Sequence, residues 1–484
     1  MTSVADGLGR LCAEAAQHLP PPYADAAAGF GARLTGPLRI AIAGRVKAGK
    51  STLLNALVGE RMAPTDAGEC TRLVTWYRNG MSYQVQALMR DGSVRSLPFD
   101  RADEALQIDV SGEPIESVAR LDVQWPSARL TDLTLIDTPG LASAREDTSA
   151  RTIEFLAPGA AETTDADAVV YLMRHVHRRD VEFLDAFMDR SVTHASPVNA
   201  VAVLSRADEI GGGRLEALDS ARRIAGRYRT DQTLQGLCST VIPVAGLLAE
   251  GGATLRQDEF AALRALAGSD DATLNGLLVT VDRFVGPGAG PLTIEIRRAL
   301  LARFGLFGVR FAVDRIRSGA VTGSPGLAAA MVEASGILEL RKHFTEQFLP
   351  RARVLQSRAV LAGLQRLARD LAGTDEGQSR WLSDAVERIE SAATEFADLR
   401  LLHLAVANLV RFDDDERAEI RRLVLANRPS DAVRSDTPAE AALAAIDRWR
   451  MRASDPRNDP ETVEACELAA RAYERLAMAA GPPA

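Results

Sequence analysis

The strongest constraint on the fold is a succession of three local signals within residues 38–60. "LRIAIAG" (38–44) is a short apolar run of the kind a buried strand carries, "GRVKAGKS" (44–51) is a glycine-bracketed loop, and "KSTLLNALVGE" (50–60) has a helical pattern. The loop reads Gly, four residues, Gly-Lys-Ser, and a strand before it with a helix after it is the setting such a loop needs to hold phosphate. Its glycines let backbone N–H groups curl around phosphate oxygens, and the helix N-terminus adds favourable partial charge. Gly44, Ala48, Gly49, Lys50, Ser51 and Thr52 are therefore the expected phosphate end of a nucleotide site. Lys50 is placed to reach the β and γ phosphates, and Ser51 to ligate Mg²⁺.

Lysine usage points to the same loop. Of 57 basic residues only three are lysine (Lys47, Lys50 and Lys342), and the other 54 are arginine. An exposed surface charge is indifferent to this choice. A site that needs a compact ammonium is not, because the guanidinium is planar and wider.

From Leu38 onward short apolar runs alternate with helical patterns. Strands are expected at 38–44, 73–78, 133–140, 168–174, 199–208 and 240–246, and a hairpin over 82–99 that turns at Asp91-Gly92. Strands separated by helices argue a doubly wound, mostly parallel α/β sheet with ligands at the C-terminal strand ends. After about residue 350 no strand pattern remains. The residues from Ser379 to Phe412 read as about ten turns of one helix if unbroken, and shorter helices are expected at 414–427, 437–452 and 460–480. The expected division is an N-terminal helical segment, 1–35, that joins the helical part; an α/β domain, 36–349; and a helical bundle, 350–484.

Two further motifs lie at expected strand ends. In "DTPG" (137–140) the Asp137 carboxylate suits a Mg²⁺ shell, and the Gly140 N–H can sense a γ-phosphate. "SRAD" (205–208) resembles the guanine-reading Asn/Thr-Lys-x-Asp element of GTPases. Asp208 would accept from the N1 and N2 donors of guanine, a pair adenine lacks, so the motif favours GTP. Ser205 precedes it, and Arg206 stands where lysine is usual; an arginine stem can also lie along a base. "VAG" (244–246), centred on Ala245, is a weak base-stacking element. A switch threonine is expected between the first helix and the second strand, where Thr65 and Thr71 are available.

The order G-x4-GKS, Thr-Arg, DTPG, SRAD, followed by an all-helical part, resembles the dynamin superfamily, and most of all bacterial dynamin-like proteins. "SGILELRKHF" (335–344) is similar to the short helix that closes their GTPase domain, and "ARFGLFGVRFAVDRI" (302–316) to the helix before it. The resemblance favours Thr71 as the switch threonine and Mg²⁺ ligand. It implies binding and hydrolysis of GTP, homodimerisation of GTPase domains across the nucleotide, a possible dynamin-like partner subunit, and a helical stalk that works on membranes. Leu141 follows DTPG, so no glutamine orients water there, and turnover is expected to be low. Arg45 and Lys47, flanking Val46 in the phosphate loop, are the candidates for stabilising transition-state charge in cis. A regulatory switch, or a nucleotide-binding scaffold acting through a protein partner, is the alternative reading.

The net charge of −8 argues against general nucleic-acid binding. The four cysteines are far apart and show no metal-ligand spacing, as in a reducing cytosol. No secretory leader and no run of 18 apolar residues is visible, so the expected location is cytoplasmic, with at most peripheral contact on the inner face of the plasma membrane. The candidate stalk tips, 373–378 and 427–438, are polar, so lipid contact rests on the resemblance alone. His175 and His177 suit a loop better than a metal site, and "DDDE" (413–416) reads as a helix cap.

Overall fold

The structure is a computed structural model that describes residues 3–63, 73–102, 105–110, 112–139, 166–174, 197–235, 237–287, 290–406, 409–425, 432–433, 435 and 437–480. Strands β1 (Leu38–Gly44), β2 (Thr75–Asn79), β3 (Gln84–Met89), β4 (Val94–Ser96), β7 (Val118–Trp125), β8 (Leu133–Asp137), β9 (Ala168–Met173), β10 (Ala200–Ser205) and β11 (Val241–Val244) form one sheet. Its order is β11-β10-β9-β1-β8-β2-β7-β3-β4, while β5 (Phe99–Ala102) and β6 (Ala105–Ile108) pair separately. Five of the eight pairings described in the large sheet are parallel. The mostly parallel α/β fold is thus present.

The central strands are largely apolar, β9 reading AVVYLM and β10 AVAVL before Ser205, because both of their faces are covered. Successive residues supply opposite cores: Ala41, Tyr171 and Ala202 face one cluster, while Ile42, Leu172 and Val203 face the other. Strand β7 was not foreseen. It carries Asp122 between the buried Leu121 and Val123, and that carboxylate is neutralised by Arg78 of the adjacent strand, whose Nε donates at 2.7 Å.

Helices α1 (Val4–His18) and α2 (Tyr23–Thr35) pack against α10 (Ala352–Leu371) and α11 (Glu376–Ala392) through Leu8, Leu11, Leu361, Leu364 and Leu382. A buried ion pair fastens α2 to the sheet. Arg33 (4 % exposed) donates from Nη2 to Asp167 Oδ1 at 2.7 Å, and the other oxygen of Asp167 (2 % exposed) accepts from the Arg39 backbone N–H at 2.9 Å.

Between these parts lie α3 (Lys50–Val58), α4 (Ala217–Arg229), α5 (Gly246–Ala253), α6 (Gln257–Ala267), α7 (Ile294–Arg317), α8 (Ser324–Ala334) and α9 (Ile337–His343). Helix α7, which covers "ARFGLFGVRFAVDRI", buries Phe304, Phe307 and Phe311 in the α/β core.

The expected single helix over 379–412 is corrected. It breaks at Ala393 (ψ 91°) into α11 and α12 (Thr394–Val406). Ile389 before the break and Phe396 just after it pack with the α1/α10 cluster, whereas Leu401 and Leu404 further along α12 join a second one. That second cluster unites α12 with α13 (Asp414–Leu425), α14 (Pro438–Ala453) and α15 (Pro460–Ala480) around Trp449 and Tyr473. Asp413 and Glu416 form a reciprocal cap at the start of α13, each accepting the other's backbone N–H at 2.8 Å. Among the described residues no helix is long and apolar enough to cross a membrane, and Cys12, Cys238 and Cys466 are buried free thiols. Cys70 lies outside the described residues.

Candidate functional site

The site forms where β1, β8 and β10 end together. Register pairs Ile42 with Asp137 and sets Gly44 beside Leu172, so the phosphate loop and DTPG leave the same sheet edge. Gly44 has no room for a side chain: a Cβ there would lie 2.5 Å from the Leu172 carbonyl oxygen, and its φ of +149° is one that side chains rarely adopt. The loop then turns through Lys47 in left-handed backbone and enters α3 at Lys50.

Lys50 Nζ donates to the Gly44 carbonyl at 3.3 Å across the loop. Burial lowers its pKa, and Asp137 opposes that shift. Asp137 is raised by burial, against the pull of Lys50 and of the Ser51 hydroxyl. Ser51 Oγ donates to Asp137 Oδ2 at 2.9 Å. Asp137 Oδ1 is buried with no hydrogen-bond partner among the described residues. A carboxylate with an orphaned oxygen beside a serine hydroxyl is an oxygen donor set that fits Mg²⁺, which takes one or two such ligands and completes its shell with water and phosphate. Thr138 anchors this strand end, its hydroxyl donating to the Ile42 carbonyl at 3.0 Å.

A cavity of about 250 Å³ runs from the phosphate loop to the SRAD segment. Ala48, Gly49 and Thr52 line one end, and Ser205, Arg206 and Asp208 line the other. Asp208 is buried, and desolvation raises its carboxyl pKa to about 6; Glu209 adds to the rise, while a backbone N–H, Arg206 and Arg174 oppose it. The Ser205 hydroxyl is turned to the sheet, donating to the Met173 carbonyl at 3.2 Å. Arg206 donates to Glu209 at 2.6 Å and to the Lys47 carbonyl at 2.7 Å. Ala245 is fully buried, and its neighbours Val244 and Gly246 form the cavity wall. Arg45, Val46 and Lys47 are exposed on the outer face of the loop. Thr65, Thr71, Gly140, Leu141, His175 and His177 lie outside the described residues.

Sequence reading missed the far wall of this cavity. Arg61, Glu250 and Arg303 line it, with Arg61 Nε 3.3 Å from Glu250 Oε1 and Arg303 Nε 2.7 Å from Glu259. Burial raises the Glu250 pKa, and Arg61 and Arg303 draw it back. Only one signal was available: Glu250 is the sole charge in the apolar helix "GLLAEGGA". Helix α7 reaches the cavity because Gly305, at φ 65° and ψ 171°, interrupts it just after Ala302 and Arg303.

The Dynamin family model matches residues 40–191. The isoniazid-induced protein IniC of Mycobacterium tuberculosis is 40 % identical over 456 residues, covering 92 % of this chain and 91 % of that protein. The chain belongs to the bacterial dynamin-like proteins. Shorter matches within this group agree: a bacterial dynamin-like protein of Nostoc punctiforme is 33 % identical over 127 residues, 24 % of this chain and 18 % of that one. Dynamin-like protein A of Bacillus subtilis is 32 % identical over 177 residues, 35 % of this chain and 13 % of that one. This dynamin-like protein therefore carries a dynamin-family GTPase domain followed by a helical part, and the cavity described above lies within that domain.

Proposed function

We propose that this chain is a slow, Mg²⁺-dependent GTP hydrolase whose GTPase domains pair across the nucleotide and whose helical bundle couples turnover to a membrane surface. The observation that carries the reading is the single cavity joining Ala48 and Gly49 of the phosphate loop to Asp208. Lys50 binds the β and γ phosphates. Ser51, Asp137 and Thr71 hold Mg²⁺, which when bound neutralises charge on the transferred phosphoryl group. Gly140 meets the γ-phosphate, Asp208 reads guanine, and the Arg206 stem and Ala245 backbone border the base. Arg45 or Lys47 supplies positive charge in cis. Leu141 in place of a water-orienting glutamine supports low basal turnover. Family membership supports pairing with a second copy or a related subunit, and peripheral action on the inner face of the membrane. In this division the working GTPase unit is 36–349, and residues 1–35 act with the 350–484 bundle.

The test is turnover of GTP and ATP against protein concentration, with and without acidic liposomes, beside Lys50→Ala. The expected result is GTP-specific turnover that rises per molecule with concentration or lipid and is lost in the variant. Tight GTP binding with flat, negligible turnover under every condition would overturn the hydrolase reading and leave a switch or scaffold.

A further inference from the structure

A second cavity, of about 310 Å³, lies at the opposite end of the sheet from the nucleotide site, between the GTPase domain and the bundle. Its GTPase-side wall comes from α4 and α9, with Arg229, Lys342 and His343; its bundle-side wall comes from α12 and α13, with His403 and Arg421. We propose that this cavity binds a small soluble phosphate oxyanion that bridges the two parts of the chain.

Three observations support it. The first is charge. Glu339 answers Arg229 at 2.8 Å and Glu346 answers Lys342 at 3.8 Å, but Arg421 has no ion-pair partner among the described residues. Near Arg421, Arg351 is buried with Nε and Nη2 unpartnered among the described residues; its Nη1 donates to Gln347, and burial together with Arg421 lowers its pKa to about 10. The cavity therefore has positive charge that its own carboxylates do not balance, and an isolated buried cation is costly without a counter-charge.

The second observation is an orphaned ring nitrogen. His403 is 2 % exposed, lines the cavity, and its Nδ1 has no hydrogen-bond partner among the described residues. A buried polar nitrogen left unpaired costs about 1–3 kcal/mol, which a bound oxygen would remove. His343, by contrast, is already oriented, with Nε2 3.1 Å from Ser239 Oγ. The third observation is lysine. Lys342 is the only lysine outside the phosphate loop in a chain that uses arginine almost everywhere else, and a compact ammonium suits a phosphate as a point charge. A pocket walled by both parts of the chain, with a nearly inaccessible imidazole in it, suits a soluble anion better than a headgroup held in a bilayer.

Burial and neighbouring arginines hold His343 near a pKa of about 4 and His403 near about 3. An anion beside them favours their protonated forms, so both imidazoles report binding. The experiment uses the full chain with ¹⁵N-labelled histidine and GDP in excess, so that phosphate does not enter the phosphate loop. Inorganic phosphate is titrated against chloride at constant ionic strength. Saturable shifts of the His343 and His403 imidazole signals are expected, with His18 unmoved. Arg421→Gln, on an exposed helix position, should weaken phosphate binding about tenfold, the loss of one charged hydrogen bond. Phosphate should also raise the melting temperature of the parent chain more than that of Arg421→Gln. No phosphate-specific shift, equal shifts with chloride, shifts unchanged in Arg421→Gln, or perturbation by phosphatidylglycerol vesicles alone would each overturn the proposal.

Discussion

The Arg206 guanidinium donates to the carbonyl oxygen of Lys47 at 2.7 Å, and both residues hold left-handed backbone, with φ of 52° and 62°. These are the two positive-φ residues other than glycine among the described residues. Such backbone costs of order 1 kcal/mol per residue and persists only where surrounding contacts hold it. This contact ties the phosphate loop to the SRAD segment at the two ends of the cavity.

Arg206→Ala removes that tie and leaves the Lys47 carbonyl without its charged donor. A hydrogen bond to a charged group is worth about 1.5–3 kcal/mol, so GTP affinity should fall about tenfold or more. Lys47→Ala keeps the carbonyl and the same backbone requirement, so affinity should stay within about twofold. Calorimetric titration of both variants with GTP checks this. Should Lys47→Ala slow turnover of the assembled protein while binding is kept, the Lys47 ammonium acts on the reacting phosphate; unchanged turnover assigns it no such role.

Asp208 makes nucleotide binding and stability depend on pH in opposite senses. Its carboxyl pKa is raised from 3.8 to about 6 in the folded chain, chiefly by desolvation. The folded state therefore holds a proton that the unfolded state releases between about pH 4 and 6. Stability from this group is fully present below that window and is lost as pH rises through it, by about 3 kcal/mol. Asp208→Asn should raise the stability of the nucleotide-free chain at pH 7.5 by up to that amount and give little change at pH 4, as measured by urea unfolding. With Asp208 as the proposed guanine acceptor, affinity should weaken below about pH 6 in the parent chain and be largely lost in Asp208→Asn at any pH.

Asp167→Ala leaves Arg33 as a buried cation without its partner. Removing one member of a buried pair costs about 3–5 kcal/mol, and the Arg39 N–H also loses its acceptor. The loss should appear as a large drop in the denaturation midpoint. Because Arg33 belongs to α2, docking of the N-terminal helices should loosen with it, read as faster amide exchange over residues 23–35.

Gly305→Ala puts a side chain where φ is +65° and ψ is 171°, a region essentially restricted to glycine, at a cost of about 1–3 kcal/mol. The new methyl would meet Leu247 at 3.5 Å and Asp208 Oδ2 at 3.9 Å. Weaker guanine-nucleotide binding should accompany the loss of stability, whereas Gly226→Ala on α4, with open space around it, should leave both unchanged or slightly improved.

The elements legible in the sequence were those whose chemistry is written in a few consecutive residues. The phosphate loop declares itself because its glycines, lysine and serine are adjacent. The central strands do so because burial on both faces demands an unbroken apolar run. The features that escaped are built from distant residues. Strand β7 was hidden by Asp122, which reads as a surface residue until Arg78 is seen beside it. Nothing local at Ala393 interrupts the helical pattern; past the break, α12 passes from the α1/α10 cluster, which holds Phe396, to the cluster of Leu401 and Leu404.

By itself the sequence determined the fold class, the order of nucleotide motifs and the helical character of the C-terminal part, since backbone preference and hydrophobic period act over short range. Tertiary structure alone decided that Arg206 would tie Lys47, that Arg61, Glu250 and Arg303 would close the far wall of the first cavity, and that His403, Arg421 and Lys342 would line the second. Each of these depends on bringing polar side chains from separate elements to one place. Which groups share that place is settled only when the layers pack.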